Sequence, residues 1–191
     1  MIKTILLAAG QSRRLKSENK LIKLYKKKPL INYSLKTLHK SKVDKVVIVL
    51  GHQKNELKKI IKKNKKNIFI FNKDYRKGMA SSIKAGLKKV SKSDKGFIIV
   101  QSDMPFMKLS EINKIYNSIK SQKFLVYALR YKNRVGNPIG FDISVIKKFK
   151  RIKGDVGAKF MVKRLKNETK FIKIGNLKSF KDFDKASDFR T

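Results

Sequence analysis

The feature that most constrains this chain is a regular alternation of two hydrophobic patterns. Short apolar runs of strand length are separated by segments in which apolar residues recur at helical spacing. Such alternation is typical of a parallel sheet covered by helices, because each parallel strand needs a crossover connection. The predicted strands are Thr4–Ala8, Lys45–Leu50, Ile68–Asn72, Phe97–Gln101 and Phe124–Leu129.

The segments between these strands carry helix start signals. Pro29 falls at a first-turn position, and Ser110 is a candidate N-cap. The predicted helices are Leu30–His39, Lys54–Lys63, Met79–Val90 and Glu111–Ser121. Beyond the fifth strand the rhythm loosens into a turn rich in Arg, Asn and Gly. The elements predicted there are a strand at Ile139–Phe141, short helices at Ser144–Phe149 and Gly157–Leu165, and a strand at Phe171–Ile174.

Length and composition favour one α/β domain over residues 1–191. A chain of 191 residues can bury a substantial core but has little room for two domains. Hydrophobic residues make up 41% of it and charged residues 33%, and both are spread along the chain, which excludes wholesale disorder. No internal repeat or linker interrupts it.

The residue inventory limits location and metal chemistry. There is no cysteine and there are only two histidines, so a metal site must rest on carboxylates. The apolar N-terminal run is too short to cross a bilayer and is followed by a basic segment instead of a cleavage site. We therefore interpret it as a buried first strand and expect a cytoplasmic protein without a membrane partner.

The formal net charge of +37 raises the hypothesis of a nucleic-acid-binding protein. The lysines, however, are scattered through nearly every segment and are not interleaved with a stripe of aromatic residues. This pattern favours a solvated surface over a base-stacking one. The positive field would still attract polyanionic substrates such as nucleoside triphosphates.

One candidate anion-binding loop directly follows the first strand. In an open parallel sheet the ligand is expected at the carboxyl ends of the strands. The sequence LAAGQSRRL lies there, with small residues that let backbone N–H groups approach an anion. Arg14 can contact phosphate through two hydrogen bonds, and Lys20 follows six residues later. The alternative is an ordinary glycine turn with surface cations beyond it.

Six spaced motifs together resemble the MobA/MocA-like nucleotidyltransferases, in particular the molybdenum cofactor cytidylyltransferase branch. LAAGQSRRL with Lys20 is similar to that family's LAAGxSxRM…K signature, and Gly78 to Leu87 to its G-x-x-x-S-[IL]-x-x-G-[IL] helix start. Ser102-Asp103-Met104-Pro105 resembles its DMP motif, and Gly136-Asn137-Pro138 its G-[HN]-P turn. The segments GDVGAK, from Gly154, and Asp182-Phe183-Asp184 resemble GDxGAR and the D-I-D of DIDTPEDL.

The resemblance implies a three-layer, Rossmann-like nucleotidyltransferase fold with a mostly parallel central sheet, of the nucleotide-diphospho-sugar transferase type. It implies Mg²⁺ as cofactor, with Asp103 as ligand and Asp184 as candidate second carboxylate. It assigns catalysis to Arg14, Lys20 and Asp103. The implied nucleotide-binding residues are Leu7, Ala8, Ala9, Gly10, Ser12, Arg14, Lys20, Gly78, Ser81, Ser82 and Ser102. The implied acceptor-binding residues are Gly136, Asn137, Pro138, Asp155 and Lys159.

Several alternatives stay open at this point. Ser81 could be a helix cap, and Asp155 could cap the helix near Gly157. Lys159 replaces the family's arginine and loses the planar fork, while Lys185-Ala186 replaces Thr-Pro after the last motif. These departures affect the acceptor half of the assignment most.

The resemblance implies CTP as the nucleotide, because LAAG stands where guanylyl-transferring relatives have LAGG. The implied acceptor is molybdopterin, and a molybdoenzyme or chaperone would be a transient partner. Family members also act on sugar and polyol phosphates. A third hypothesis is a cofactor carrier without turnover, which would have no need for Asp103 and Lys20 together.

Overall fold

The computed structural model describes residues 1–12, 15 and 19–190. A seven-stranded sheet forms its centre, in the strand order β5-β4-β1-β6-β8-β7-β9. The pairs β5-β4, β4-β1, β1-β6 and β7-β9 are parallel, and β8 runs antiparallel to both β6 and β7. The strands are β1 Ile2–Ala8, β2 Leu24–Tyr25, β3 Lys28–Pro29, β4 Lys45–Leu50, β5 Asn67–Phe71, β6 Gly96–Gln101, β7 Val126–Tyr131, β8 Arg134–Asp142 and β9 Thr169–Lys173.

Helices cover both faces of this sheet. The α-helices are α1 Ile31–Lys40, α2 Lys54–Ile60, α3 Met79–Leu87, α4 Leu109–Lys120 and α5 Lys159–Arg164. Short 3-10 helices lie at Tyr75–Lys77, Ile143–Arg151, Lys166–Glu168, Leu177–Phe180 and Ala186–Phe189. No helix in the described part of the chain is long and apolar enough to cross a membrane.

Alternate residues of the central strands feed two separate cores. Along β4, Val46 and Ile48 pack into the core that contains α1 and α4, whereas Val47 packs into the core that contains α3 and α5. Both faces of the strand are therefore apolar, which explains why Val46 to Leu50 form an unbroken apolar run in the sequence. This arrangement confirms the predicted three-layer α/β fold with a mostly parallel sheet.

Some predicted boundaries were wrong in ways that the local contacts explain. Helix α4 begins at Leu109 instead of near Glu111, and Ser110 lies inside it. The reason is that the Glu111 carboxylate accepts a hydrogen bond from the backbone N–H of Lys108 at 3.0 Å and so caps the helix two residues earlier. Helices α2 and α3 each end three residues early, because Ile61 and Val90 leave the helix and are buried.

The predicted loose turn after the fifth strand is largely a β-hairpin. Only two residues separate the end of β7 from Arg134, where β8 starts, and one of them, Lys132, takes a positive φ of 48°. The first of the two predicted short helices is the 3-10 helix Ile143–Arg151. The small hairpin of β2 and β3 was not predicted.

Candidate active site

The four parallel strands β1, β4, β5 and β6 end at one edge of the sheet, and a cleft of about 520 Å³ opens there. The loops that leave β1, β5 and β6 all contribute to it, as expected for an open parallel sheet. Its lining residues are Leu7, Ala9, Gly10, Gln11, Ser12, Lys20, Leu21, Tyr75, Arg76, Lys77, Gly78, Met79, Ser82, Gln101, Ser102, Asp103, Asp155 and Asp184.

The loop after β1 forms one wall of the cleft. Gly10 faces open space, since a Cβ atom placed there would meet no atom of the described residues within 4 Å. Ser12 takes a positive φ of 52°, and its hydroxyl accepts a hydrogen bond from the Lys20 backbone N–H at 3.0 Å. The loop thereby brings Lys20 back to the cleft. Ala8, predicted as a nucleotide contact, is buried and is not among the lining residues, and Arg14 lies outside the described residues.

Lys20 joins the two carboxylates that the sequence motifs singled out. Its Nζ atom lies 2.6 Å from Asp103 Oδ2 and 2.5 Å from Asp184 Oδ1. The side chains are 17%, 15% and 32% exposed, so the three charges meet largely out of solvent. The distance along the chain between Lys20 and Asp184 is 164 residues, and only the fold brings them together.

The electrostatics of this trio follow from burial and pairing. Burial by itself lowers the pKa of Lys20, but the charges and hydrogen bonds of Asp103 and Asp184 outweigh it and raise that pKa above its ordinary value. Burial raises the pKa of Asp103, against the opposing effect of Lys20. Asp103 is thus a carboxylate whose charged form depends on a cation beside it.

The two aspartates fit a hard divalent cation. Asp103 Oδ1 is buried and has no hydrogen-bond partner among the described residues, so an acceptor oxygen remains available. Within the described part of the chain no cluster of three or more candidate ligands occurs. Mg²⁺ does not need one, because it is held by one or two carboxylates together with substrate phosphates and water.

The N-terminus of α3 forms the opposite wall. Gly78 takes a φ of +96°, and a Cβ atom there would lie 2.4 Å from the Gly154 carbonyl carbon, so only glycine fits. Ala80 N–H donates to Gly154 O at 3.0 Å, and Met79 N–H donates to Asp155 Oδ1 at 3.3 Å. The Asp155 carboxylate therefore caps the N-terminus of α3 directly, instead of the helix near Gly157 that the sequence offered as one alternative to an acceptor role.

The two serines of α3 have different surroundings. The Ser81 hydroxyl lies 2.8 Å from the carbonyl oxygens of Asp74 and Gly78, which share its single proton, and it accepts from Asn72 Nδ2 at 2.8 Å. Ser81 is not among the lining residues. Ser82 lines the cleft, with its hydroxyl 3.1 Å from Asn72 Nδ2. The hydroxyl of Ser81 thus organises the turn before α3, and Ser82 is the one of the two serines that lines the cleft.

The loop after β6 supplies Ser102 and Asp103. The Ser102 hydroxyl donates to Leu7 O at 2.6 Å and ties the ends of β1 and β6 together. Ser34 of α1 donates to Ser102 O at 3.2 Å from the buried side. The segment that carries Asp103 is therefore held to a strand and to a helix.

Seven lining residues were not predicted as site residues: Tyr75, Arg76, Lys77, Gln101, Gln11, Leu21 and Met79. The first three form a 3-10 helix between β5 and Gly78. A signal was available, because this segment leaves the carboxyl end of a predicted strand, where ligand contacts are expected. It was overlooked because its cations resemble the lysine-rich surface elsewhere.

Most predicted acceptor residues lie outside the cleft walls. Gly136, Asn137 and Pro138 belong to β8, and a Cβ atom on Gly136 would meet the Phe180 ring at 2.3 Å. Ile99 of β6 pairs with Ile139, so Asn137 lies near the end of β6 that carries the cleft. Its Oδ1 atom is buried without a partner among the described residues. Lys159, the first residue of α5, is exposed.

The fold and this cleft define a protein of the nucleotidyltransferase class. The model of the MobA-like NTP transferase domain matches residues 4–169, and the chain belongs to that family. This match confirms the family resemblance that the six motifs predicted.

Among curated proteins, the chain is 29% identical over 141 residues to the 2-C-methyl-D-erythritol 4-phosphate cytidylyltransferase of Lachnoclostridium phytofermentans, covering 70% of this chain and 58% of that enzyme. The chain spans about a quarter of the length of other curated relatives that it matches, at 26% and 24%. The activity of a whole relative therefore does not transfer directly.

Solved structures share the fold. Rv0371c of Mycobacterium tuberculosis H37Rv superposes with a TM-score of 0.85 at 21% identity, covering 98% of this chain and 95% of that one, and it has also been crystallised in complex with manganese. Molybdopterin-guanine dinucleotide biosynthesis protein A of Archaeoglobus fulgidus has a TM-score of 0.72 at 17% identity, covering 98% and 94% of the two chains. At these identities the likeness concerns the fold alone.

Proposed function

We propose that this protein transfers CMP from CTP to a phosphorylated acceptor and releases pyrophosphate, with molybdopterin as the acceptor. The observation that carries the proposal is the trio of Lys20, Asp103 and Asp184 at the carboxyl edge of the sheet, between an anion-compatible loop and a helix N-terminus. Cationic groups beside a loop that can hold phosphate supply the charge neutralisation on which phosphoryl and nucleotidyl transfer depend.

The reaction needs positioning and charge neutralisation more than covalent help. An oxygen of the acceptor phosphate attacks the α-phosphorus of the nucleotide, and the bond from that phosphorus to the bridging oxygen of pyrophosphate breaks. The electron pair leaves with pyrophosphate, so negative charge grows on the leaving group. No nucleophile of the protein takes part, and the residues contribute by orienting both phosphates in line.

Each wall of the cleft has a role in this scheme. Backbone N–H groups at Ala9 and Gly10, together with Lys20, would hold the triphosphate, and the N-terminal end of α3 with Ser82 would hold the nucleoside. Asp103 and Asp184 would hold Mg²⁺. When bound, Mg²⁺ supplies a positive charge that neutralises the phosphate oxygens. Arg14, in the same loop, is a further candidate for the leaving phosphates.

The preference for CTP is supported by the LAAG sequence and by the cytidylyltransferase relative. Guanylyl transfer is the main alternative, since the molybdopterin-guanine protein of Archaeoglobus fulgidus shares the fold. Transfer to a polyol phosphate is the other, because the name of the cytidylyltransferase relative specifies such an acceptor. All three use the same trio of charged residues.

The test is pyrophosphate release from each of the four nucleoside triphosphates with Mg²⁺ and molybdenum-loaded molybdopterin. We expect release with CTP and a fall of about 100-fold or more in Asp103→Ala, because a group that stabilises developing charge is lost. Glu168→Ala is the matched control, since it removes an exposed carboxylate that does not line the cleft. Release with GTP alone would overturn the nucleotide assignment, and release only with sugar or polyol phosphates would overturn the acceptor.

A further inference from the structure

The C-terminal segment that delivers Asp184 to the cleft is anchored just before that residue. The Phe183 side chain is 1% exposed, and its ring packs edge-on against Tyr25 and Phe189 with centroids 4.9 and 5.2 Å apart. The Phe183 backbone N–H donates to Asp103 O at 3.0 Å. The two candidate metal ligands are therefore joined through one hydrogen bond of the main chain.

A second anchor lies just after Asp184. The Asp188 carboxylate accepts, through Oδ2, the backbone N–H groups of Asp184 and Lys185, both at 2.9 Å. Its other oxygen lies 3.2 Å from Lys181 Nζ, and the side chain is 18% exposed. Burial by itself raises the pKa of Asp188, but the two N–H groups and Lys181 outweigh it and lower that pKa, so the carboxylate is charged.

Asp188 thus binds the backbone N–H of Asp184, whose nitrogen is bonded to the Cα atom that carries the Asp184 side chain. A metal ligand has to be held to within about 0.5 Å of its productive place. Asp184 lies in a segment of 3-10 helices and irregular chain outside the strands, so its backbone depends on individual contacts such as those of Phe183 and Asp188. Charge-assisted hydrogen bonds to backbone N–H groups are about twice as strong as neutral ones.

We infer that Asp188 is a positioning residue: it orients Asp184 toward the metal position shared with Asp103 and touches neither metal nor substrate. This inference rests on the proposed role of Asp184 as a metal ligand. It is distinct from a capping role for the 3-10 helix Ala186–Phe189 alone, which would affect folding stability without affecting metal affinity.

The test compares Mn²⁺ affinity among four proteins, with each protein saturated by whichever nucleoside triphosphate the wild type binds most tightly. Asp188→Ala removes the acceptor, and Asp188→Asn retains one oxygen for the two N–H groups. Asn176→Ala is the matched control: Asn176 Oδ1 accepts from Lys178 N–H at 2.7 Å, so its loss removes a similar turn contact from the same segment. Free Mn²⁺ is measured by electron paramagnetic resonance, and the thermal midpoint of each variant is recorded.

We expect Mn²⁺ affinity to fall about tenfold or more in Asp188→Ala, the loss typical of residues that orient metal ligands. Asp188→Asn should recover most of it, and Asn176→Ala should match the wild type. Wild-type affinity in Asp188→Ala, or an equal loss in Asn176→Ala, would overturn the inference, as would a wild type that binds no Mn²⁺. If the pattern holds but no acceptor yields pyrophosphate, the proposed function fails and the positioning role of Asp188 stands.

Discussion

The charge state and contacts of a residue in the cleft depend on the residues next to it. Lys20 is the clearest case, since one ammonium group lies within hydrogen-bonding distance of both Asp103 and Asp184. In that position it stabilises two carboxylates that would otherwise repel each other, and it competes for them with any metal ion. Binding of a metal-nucleotide complex would therefore require Lys20 to turn toward the phosphates.

We predict opposite effects of Lys20→Met on two measurements. Mn²⁺ binding in the absence of nucleotide should strengthen by about tenfold or more, because a cation next to the ligands is gone. Pyrophosphate release should fall by about 100-fold, because the variant lacks the positive charge of Lys20 that would stabilise the triphosphate.

Lys20→Arg keeps the positive charge and should leave Mn²⁺ binding as weak as in the wild type. Lys92→Met, on an exposed surface turn, is the control for the loss of one positive charge elsewhere. If Lys20→Met bound Mn²⁺ no better than the wild type, Lys20 would not compete with the metal ion for Asp103 and Asp184.

At the scale of elements, the end of the sheet opposite the cleft is held by a buried ion pair. Asp94, in the turn before β6, has a side chain only 1% exposed and lies 2.8 Å from Lys3 Nζ of β1. It also accepts from Ser91 N–H at 2.8 Å, and the N-terminal ammonium group lies 3.5 Å away. Burial by itself raises the pKa of Asp94, but these partners outweigh it and lower that pKa.

Asp94→Ala should reduce the free energy of unfolding at neutral pH by about 3 kcal/mol, because Lys3 remains buried without its partner. A lowered carboxyl pKa gives stability that is present above the unfolded-state pKa near 4 and is lost as pH falls through the folded-state value. The gap between wild type and Asp94→Ala should therefore narrow in acid.

Urea unfolding at several pH values measures this gap. Asp74→Ala, in an exposed ion pair, should show no comparable gap at any pH. If the difference in free energy of unfolding between wild type and Asp94→Ala stayed constant down to the lowest pH, the lowered pKa of Asp94 would not be the source of this stability.

At the scale of the whole molecule, the formal net charge of +37 dominates. Like charges at this density repel one another and oppose the compact state. Raising NaCl from about 10 mM to about 150 mM shortens the screening length from about 30 Å to about 8 Å. The thermal midpoint should therefore rise with salt, while the affinity for nucleoside triphosphates should fall.

A variant in which Lys62, Lys63 and Lys65 are changed to Gln should show a smaller rise of the midpoint, since these side chains are exposed and adjacent. An unchanged or falling midpoint would show that self-repulsion is not significant. Duplex DNA binding with a steep salt slope, measured in the same buffers, would instead support the nucleic-acid hypothesis.

Part of this picture could be predicted from the sequence because it depends on local pattern. The buried strands are unbroken apolar runs, so all seven strands predicted from hydrophobicity recur in the sheet with ends shifted by a few residues. The motif residues that follow strands β1 and β6 also lie where a parallel sheet must place them, which accounts for Gly10, Lys20 and Asp103 in the cleft.

What only the tertiary structure decided are contacts between residues distant in sequence. Hydrophobic periodicity shows neither that Asp188 holds the backbone of Asp184 nor that Asp155 caps α3 instead of a nearby helix. The meeting of Lys20 with Asp184 likewise depends on how the last segment packs, through Phe183, against residues near both ends of the chain. Periodicity reports which face of an element is buried, whereas the partner on that face is set by packing of the whole chain.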